Sequence, residues 1–208
     1  MTGVQTCALP ILFGSFLGAI RGGSQYRRAS FLLDAAGEQV FPEWMQISER
    51  PHLRKALSSA AFDSEGVATR DREIVERGVL TGYVLSTYSA RKLGLKTTGN
   101  AGGVHNLIVS SGADDFASLL RRMGRGLVVT ELMGQGVNGV TGDYSRGAAG
   151  FWVENGQIAY PVHEITIAGN LRDMFKHVIA VGSDVDARGG IRDRKSTRLN
   201  SSHPYRSR

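Results

Sequence analysis

The chain has 208 residues, of which 41% are hydrophobic and 21% are charged. This balance is typical of a folded globular domain and excludes disorder over the whole length. The 27 glycines follow no three-residue period, which excludes a collagen-like rod and indicates a fold with many turns.

The net charge of +6 is concentrated at the C-terminal end of the chain. Residues 193–208 hold five basic residues and one acidic residue, so the rest of the chain carries a net charge of +2. A nearly neutral body gives no electrostatic reason to bind nucleic acid. We therefore predict no nucleic-acid partner.

The single cysteine, Cys7, can form neither an intrachain disulfide nor a cysteine-based zinc site. The apolar run over 8–20 is interrupted by Pro10 and Gly14 and is shorter than the roughly 20 residues that span a bilayer. It also lacks the basic start of a signal peptide. These features predict a cytoplasmic protein with no membrane partner.

Both ends of the chain look foreign to it. Residues 1–11 and 193–208 resemble translated sequencing-adapter remnants, and the second segment has no apolar periodicity. Processing scars are excluded from fold reasoning. We expect one domain over residues 12–192, incomplete at both ends, with adapter-derived segments at 1–11 and 193–208. The alternative is a natural short N-terminus and a natural basic tail.

The first third of the body gives mixed signals. Leu12–Ile20 predicts a short apolar helix that ends at Gly22–Ser24. Ala29–Asp34 is a candidate strand, and Pro51–Leu57 is a candidate helical turn because proline suits a helix start.

In the middle of the chain, turn and capping residues mark the ends of the predicted elements more clearly. Ile74–Val75 and Val79–Leu80 predict a hairpin. Ser86–Leu93 predicts a helix that Ser86 or Thr87 caps and that ends at Gly94. Asp114–Met123 predicts an amphipathic helix, because apolar residues recur along it at helical spacing.

The last part is dominated by strands. Val104–Ser110 and Leu127–Thr130 predict strands, and Gly134–Gly150 reads as a long glycine-rich loop. Asn155-Gly156 predicts a type I′ hairpin turn. His163–Ala168 predicts a strand, followed by a helix that Asn170 caps. Strands and helices do not alternate regularly, so we predict an α+β fold with a largely antiparallel sheet and a few helices.

The long loop and its flanking strands hold the candidate site residues. Loops of this length are uncommon unless they are functional, so we predict contacts with substrate or a partner protein there. The alternative is a structural loop in which Asp143 and Arg146 pair with each other or with backbone. The candidate contacts are Glu131, Asn138, Asp143, Tyr144, Arg146 and His163.

Common catalytic motifs are missing from the sequence. Gly99–Gly103 lacks the Gly-Lys-Ser/Thr ending of a phosphate-binding loop. Within the body, no two histidines have the i, i+4 spacing of a zinc helix, and no Gly-x-Ser-x-Gly elbow occurs. Alternation along a strand would send His163 and Glu164 to opposite faces. We therefore assign no catalytic residue and no metal ligand.

Six ordered segments resemble the PmbA/TldE branch of the TldD/PmbA metallopeptidase family, and the resemblance covers residues 12–192. It implies a cytoplasmic protein that pairs with a TldD-type subunit to cleave unfolded or modified peptides, including microcin-type antibiotics. It also implies a zinc motif of the form HExxxH in the TldD-type subunit. The segments are Ser86–Leu95, Thr98–Gly103, Gly126–Gly136, Thr141–Gly147, Gly150–Gly156 and Ile165–Leu171.

The resemblance also places three residues where the zinc motif would lie. If Leu12–Ala19 aligns with the metal helix of the TldD-type subunit, Gly14 and Ala19 occupy the ligand positions and Ser15 that of the general base. None of these residues supplies zinc ligation or general-base catalysis at neutral pH. The chain is then expected to be a non-catalytic subunit without a cofactor, with zinc in its partner. The alternative is an independently active metallopeptidase with a site around His163, Glu131 or Asp143.

Overall fold

A computed structural model of the chain describes residues 3–6, 9–110, 112–183, 185–186 and 191–194. The helices are α1 (Leu9–Ile20), α2 (Gly22–Tyr26), α3 (Thr87–Leu93), α4 (Phe116–Met123) and α5 (Leu171–Lys176). The strands are β1 (Gly3–Thr6), β2 (Ile47–Glu49), β3 (Arg72–Glu76), β4 (Val79–Leu80), β5 (Leu107–Val109), β6 (Gly126–Met133), β7 (Asp143–Glu154), β8 (Gln157–Asn170), β9 (Val185–Asp186) and β10 (Ile191–Arg194). None of the helices in these ranges is long and apolar enough to cross a membrane.

In the described part of the chain, the first sheet has four strands in the order β1-β6-β7-β8. Strands β6, β7 and β8 run antiparallel to their neighbours, and β1 pairs parallel to β6. Asn155 and Gly156 connect β7 to β8 with φ angles of 52° and 72°. Two positive φ angles are what a type I′ turn requires, so the predicted hairpin is confirmed.

The second sheet, as far as the described residues show it, has six short strands in the order β4-β3-β2-β5-β10-β9. The predicted hairpin between β3 and β4 is confirmed, and it turns through Arg77 and Gly78 at positive φ. A Cβ atom on Gly78 would lie 2.3 Å from the carbonyl oxygen of Phe41, so the turn also needs glycine for lack of space.

The predicted fold class is confirmed. Among the described residues, six of the eight strand pairings are antiparallel, and the helices do not alternate with strands as they do in a doubly wound sheet. The molecule is therefore α+β.

The caps predicted for α3 and α5 are confirmed, and α4 has a cap at Asp115 that was not predicted. The Ser86 hydroxyl accepts a hydrogen bond from the Ser89 backbone N–H, and Gly94 ends α3 in the left-handed conformation. Asp115 caps α4 through the Ser118 N–H. Asn170 caps α5 by the same kind of bond.

The main core lies between helix α1, the second sheet and helix α5. Phe16 is fully buried, and its ring lies 5.1 Å from Phe41 and 6.0 Å from Phe175, centroid to centroid. Burying one such side chain contributes about 1.5–3 kcal/mol. The apolar composition of α1 is thus explained by packing, and this packing fixes α1 relative to the loops around it.

Two predictions for the first third of the chain are wrong. Residues 29–34 form turns rather than a strand, because Phe31 and Leu32 are buried side by side and Asp34 adopts a φ of 55°. Residues 51–57 form successive turns rather than a helix. Lys55 there has a φ of 58°, which a right-handed helix cannot include.

Two boundaries also differ from the prediction. Gly22–Ser24 begins a second helix instead of ending the first, because Gly22 lets α2 pack closely against α3. The long loop is shorter than Gly134–Gly150, because β7 begins at Asp143. The small residues of β7 have a packing cause, since a Cβ atom on Gly150 would lie 1.9 Å from the carbonyl oxygen of Val128.

The two end segments lie only partly within the described residues. Gly3–Thr6 pairs with β6, and 191–194 pairs with β5 and β9. Cys7 and residues 195–208 lie outside the described residues. The predicted foreign origin of residues 1–11 and 193–208 stays a prediction, as does the domain boundary at 12–192.

Candidate functional site

Helix α1 carries the three positions that were aligned with a zinc motif. Gly14 is exposed, Ser15 is half-buried and Ala19 is buried. Zinc in proteins is bound by imidazole, thiolate and carboxylate groups, so these residues do not fit the metal. Across the part of the chain that the structure describes, no group of three or more His, Cys, Asp or Glu residues is placed to hold a metal ion.

Asn138 and Asp143 close the loop that precedes β7. The Asn138 backbone N–H donates to the Asp143 carbonyl oxygen at 2.8 Å, and the Asn138 side chain accepts from the Val140 N–H at 2.9 Å. The Asp143 carboxylate accepts from the Thr141 hydroxyl at 2.6 Å and from the Asn170 amide at 3.4 Å. Both residues therefore make local hydrogen bonds that fix the entry to β7.

Tyr144 and Arg146 follow on β7. Tyr144 is 3% exposed and belongs to the main core. Arg146 donates to the carbonyl oxygen of Gly134, which lies across the loop. Arg146 thus pairs with backbone, as expected if the loop is structural. No ion pair joins Arg146 to Asp143 within the described residues.

Glu131 and His163 are exposed on the strands that flank β7. Glu131 pairs with Ala149, and Ala149 also lies opposite a bulge in β8 that contains His163 and Glu164. Glu164 has a φ of 53° in this bulge, which interrupts the regular alternation assumed for the strand. Both His163 and Glu164 are exposed.

The structure does not bring Glu131, Asp143 and His163 together. The strands of Glu131 and His163 are two strand spacings apart, about 10 Å. Asp143 lies six residues along β7 from Ala149, which corresponds to about 20 Å. Substrate or partner contact by the six candidate residues stays a prediction, but they do not form one compact site.

The loop Gly99–Gly103 is held in place by a buried carboxylate. Glu49 is 2% exposed, and its Oε1 accepts hydrogen bonds from the Asn100 amide at 2.7 Å and from the His105 backbone N–H at 2.6 Å. Its Oε2 accepts from Nε of Arg72 at 2.8 Å. The His105 ring Nδ1 lies 3.3 Å from Oε1. The loop is therefore anchored from below by an ionic and hydrogen-bonded cluster.

A second buried carboxylate, Asp63, holds the same loop. Its Oδ2 accepts from the Ala101 N–H at 2.9 Å, and its Oδ1 accepts from the N–H groups of Glu65 and Val67 at 2.9 Å each. Burial by itself would raise the pKa of Asp63, but these three backbone donors outweigh it and hold the pKa below its ordinary value of 3.8. The charged form of Asp63 is thus favoured by the fold.

An open cavity of about 290 Å³ lies on the outer side of this loop. Its lining includes Arg21, Tyr26, Tyr88, Gly102 and Gly103. The two glycines have φ angles of 100° and 129°, and they present backbone without side chains to the cavity. The anchored loop, one cation and two aromatic rings form a preorganised surface, which we call the glycine-loop cavity.

As a binding site, Gly99–Gly103 is compared in the sequence only with a phosphate-binding motif, so the glycine-loop cavity was not predicted. The sequence signal was present in the loop's run of glycines. The anchors lie far away in the chain, Glu49 at 51 residues from Asn100 and Asp63 at 38 residues from Ala101. Such long-range pairs have no local pattern.

Comparison with known proteins decides the family. The profile of the PmbA/TldA metallopeptidase C-terminal domain matches residues 5–198. The chain belongs to the PmbA/TldD metallopeptidase family. The match covers nearly the whole chain, and it includes part of each end segment.

This PmbA/TldD-family domain is similar in sequence to one curated relative and in structure to two solved proteins. The chain is 59% identical to metalloprotease PmbA of Escherichia coli O157:H7 over 180 residues, which are 86% of the chain and 40% of that protein. A protein described as a candidate modulator of DNA gyrase from Bacteroides thetaiotaomicron has a TM-score of 0.88 and 30% identity, over 95% of the chain and 46% of that protein. TldE of Thermococcus kodakarensis has a TM-score of 0.79 over 95% of the chain and 48% of that protein, and its 22% identity shows the shared fold alone.

The PmbA/TldD-family domain seen here is thus part of what these relatives contain. The chain spans about two fifths of the length of the E. coli protein and about half of each solved structure.

Proposed function

We propose that the chain is the TldE-like subunit of a two-subunit TldD/TldE-type zinc peptidase, in which it holds peptide but neither zinc nor the general base. The observation that carries this proposal is the trio Gly14, Ser15 and Ala19 on α1, in a domain 59% identical to PmbA. These residues have no group that ligates zinc. The metal and the base are then supplied by a TldD-type partner.

The substrates in this proposal are unfolded or modified peptides of the cytoplasm, including precursors of microcin-type antibiotics. The chain contributes surface rather than reacting groups. Fixing a peptide close to the partner's zinc lowers the barrier through positioning, which is a separate contribution from that of the metal. The exposed residues around β8 and the glycine-loop cavity are the surfaces available for this role.

An independent metallopeptidase is the competing function. It would need zinc ligands drawn from residues such as Glu131, Asp143 and His163. The separations along and across the first sheet, about 20 Å and about 10 Å, do not favour this site. We therefore keep the accessory subunit as the proposed function.

Hydrolysis assays test the proposal. The complete gene product that contains this chain is assayed with an unstructured peptide, alone and mixed with its TldD-type partner, with and without a zinc chelator. The matched control is a partner whose HExxxH glutamate is replaced by glutamine. We expect hydrolysis only in the mixture with the unaltered partner, and its loss with the chelator. Chelator-sensitive hydrolysis by the lone chain would overturn the proposal.

A further inference from the structure

The glycine-loop cavity contains a cation that has no counter-charge among the described residues. Arg21 is exposed, and no carboxylate of the described residues lies within 4 Å of its guanidinium. Its Nη2 lies 3.5 Å from where a Cβ atom on Gly103 would stand. The guanidinium thus lies over the glycine backbone at the wall of the cavity.

The backbone of Arg21 is fixed, which gives its side chain a defined origin. Arg21 bridges to Val84 as an isolated parallel pair, and Gly22 N–H donates to the Val84 carbonyl oxygen at 2.9 Å. The Val84 N–H donates in turn to the Ile20 carbonyl oxygen at 3.0 Å. A Cβ atom on Gly22 would lie 2.3 Å from the Ser89 hydroxyl oxygen, so α2 is packed directly against α3.

Two aromatic rings also line the cavity. Tyr26 and Tyr88 meet edge to face with ring centroids 5.8 Å apart, and Tyr88 is 57% exposed. Further cations surround this pair, since the Arg27 guanidinium lies 5.1 Å from the Tyr26 ring and the Lys92 ammonium 5.8 Å from the Tyr88 ring. The rim is electropositive and partly apolar.

One carboxylate is bonded to Thr87, whose neighbours Ser86 and Tyr88 line the cavity. Glu65 accepts a hydrogen bond from the backbone N–H of Thr87 at 2.7 Å. Glu49 and Asp63 lie beneath the loop and are occupied with their own donors. The cation of the cavity is therefore left for a ligand.

We propose that the glycine-loop cavity binds a carboxylate group of a peptide through Arg21. A guanidinium binds a carboxylate by two parallel N–H···O bonds, and the side-chain-free backbone at Gly102 and Gly103 leaves room for a main chain to approach. The tyrosine pair provides a surface for the neighbouring apolar part of the peptide. The choice of a peptide rests on the proposed function, whereas the choice of an oxyanion rests on the geometry.

Direct binding to the full chain, without partner and without zinc, tests this site. The probes are inorganic phosphate and three N-acetylated hexapeptides of Ala, Gly, Leu and Phe, each measured by isothermal titration calorimetry. The first peptide has a free C-terminal carboxylate, the second a C-terminal amide, and the third a C-terminal amide with one internal glutamate. We expect Arg21→Gln to weaken binding of the carboxylate peptides by about tenfold or more, because a charge-assisted bidentate contact is lost.

Two further variants make the result specific. Arg21→Lys keeps the charge without the planar fork, and we expect an intermediate affinity. Arg122→Gln removes an equal charge from α4, where it pairs with Asp114, and should leave binding unchanged. Equal thermal unfolding of the variants and the parent chain is the check that the fold is intact.

The outcomes separate the site from the proposed function. Equal affinity for the acid and amide peptides, no peptide binding, or binding of inorganic phosphate alone would each overturn the carboxylate site. Binding that requires both a carboxylate and Arg21 supports the carboxylate site. Comparing the affinities of the free-acid peptide and the glutamate peptide shows whether a C-terminal or a side-chain carboxylate is bound. Because no hydrolysis is measured, failure of the partner assay would refute the proposed function without changing this result.

Discussion

The side-chain amide of Asn100 donates to the buried carboxylate of Glu49 across 2.7 Å, although the two residues are 51 positions apart in the chain. This bond joins the end of strand β2 to the glycine-rich loop that forms the wall of the cavity. The same carboxylate neutralises Arg72, which is itself mostly buried. The loop's conformation therefore depends on an ionic cluster beneath it.

The first prediction concerns this cluster. In Glu49→Gln, an amide replaces a carboxylate that accepts hydrogen bonds from several donors. The substitution also leaves the Arg72 charge without its partner. Removing one member of a buried ion pair costs about 3–5 kcal/mol. We expect a loss near the lower end of that range in the free energy of unfolding by urea, because 14% of the Arg72 side chain is exposed.

The matched control for Glu49 is Glu38→Gln. Glu38 pairs with Arg172 at 3.2 Å, and both side chains are exposed. Such a pair contributes about 0–1 kcal/mol. A loss for Glu49→Gln as small as that for Glu38→Gln would refute the anchoring role of the cluster.

The second prediction is a pH dependence that arises from Asp63. The pKa of this group is lowered in the folded chain from its ordinary value of 3.8, so its carboxylate stabilises the fold above that pH. The contribution is lost as the pH falls through the folded-state pKa. We expect Asp63→Asn to lower the free energy of unfolding at pH 7, and the difference from the parent chain to shrink below about pH 4. A difference that stays constant between pH 7 and pH 3 would contradict the assignment.

The third prediction tests the close packing of the first sheet. A Cβ atom on Gly150 would lie 1.9 Å from the Val128 carbonyl oxygen, which is backbone and cannot rotate away. We expect Gly150→Ala to cost about 1–3 kcal/mol in thermal or urea unfolding, because β6 and β7 must separate locally.

The control for Gly150 is Gly139→Ala, in the loop before β7. A Cβ atom on Gly139 would meet no atom within 4 Å. Alanine there should be neutral or stabilising by up to about 1 kcal/mol, since it restricts the unfolded chain. Equal effects of the two substitutions would show that β7 does not pack against β6 as described.

The sequence predicted the elements whose ends are marked by characteristic turn or capping residues. The Asn155-Gly156 turn and the caps at Ser86 and Asn170 depend on a few neighbouring residues, so each could be predicted without tertiary information. The strand predicted over 29–34 is wrong because its apolar residues, Phe31 and Leu32, are buried in the core from a turn rather than from a strand.

The start of β7 was predicted wrongly, and the cavity was not predicted, for a different reason. Gly147 to Gly150 resembles a loop by composition, yet at Gly150 glycine is needed because the backbone of β6 is in the way. The cavity wall depends on Glu49 and Asp63, whose roles follow from contacts between distant segments. The absence of zinc ligands on α1 could be inferred from sequence, because it depends only on residue identity at Gly14, Ser15 and Ala19.

Zinc content tests the central claim most directly. The complete gene product is purified alone, in complex with its TldD-type partner, and in complex with a partner whose HExxxH histidines are replaced, and bound zinc is measured by mass spectrometry. We expect about one zinc per complex with the unaltered partner and negligible zinc in the other two samples. Stoichiometric zinc on the lone chain, or zinc retained with the altered partner, would contradict the assignment of this chain as the metal-free subunit.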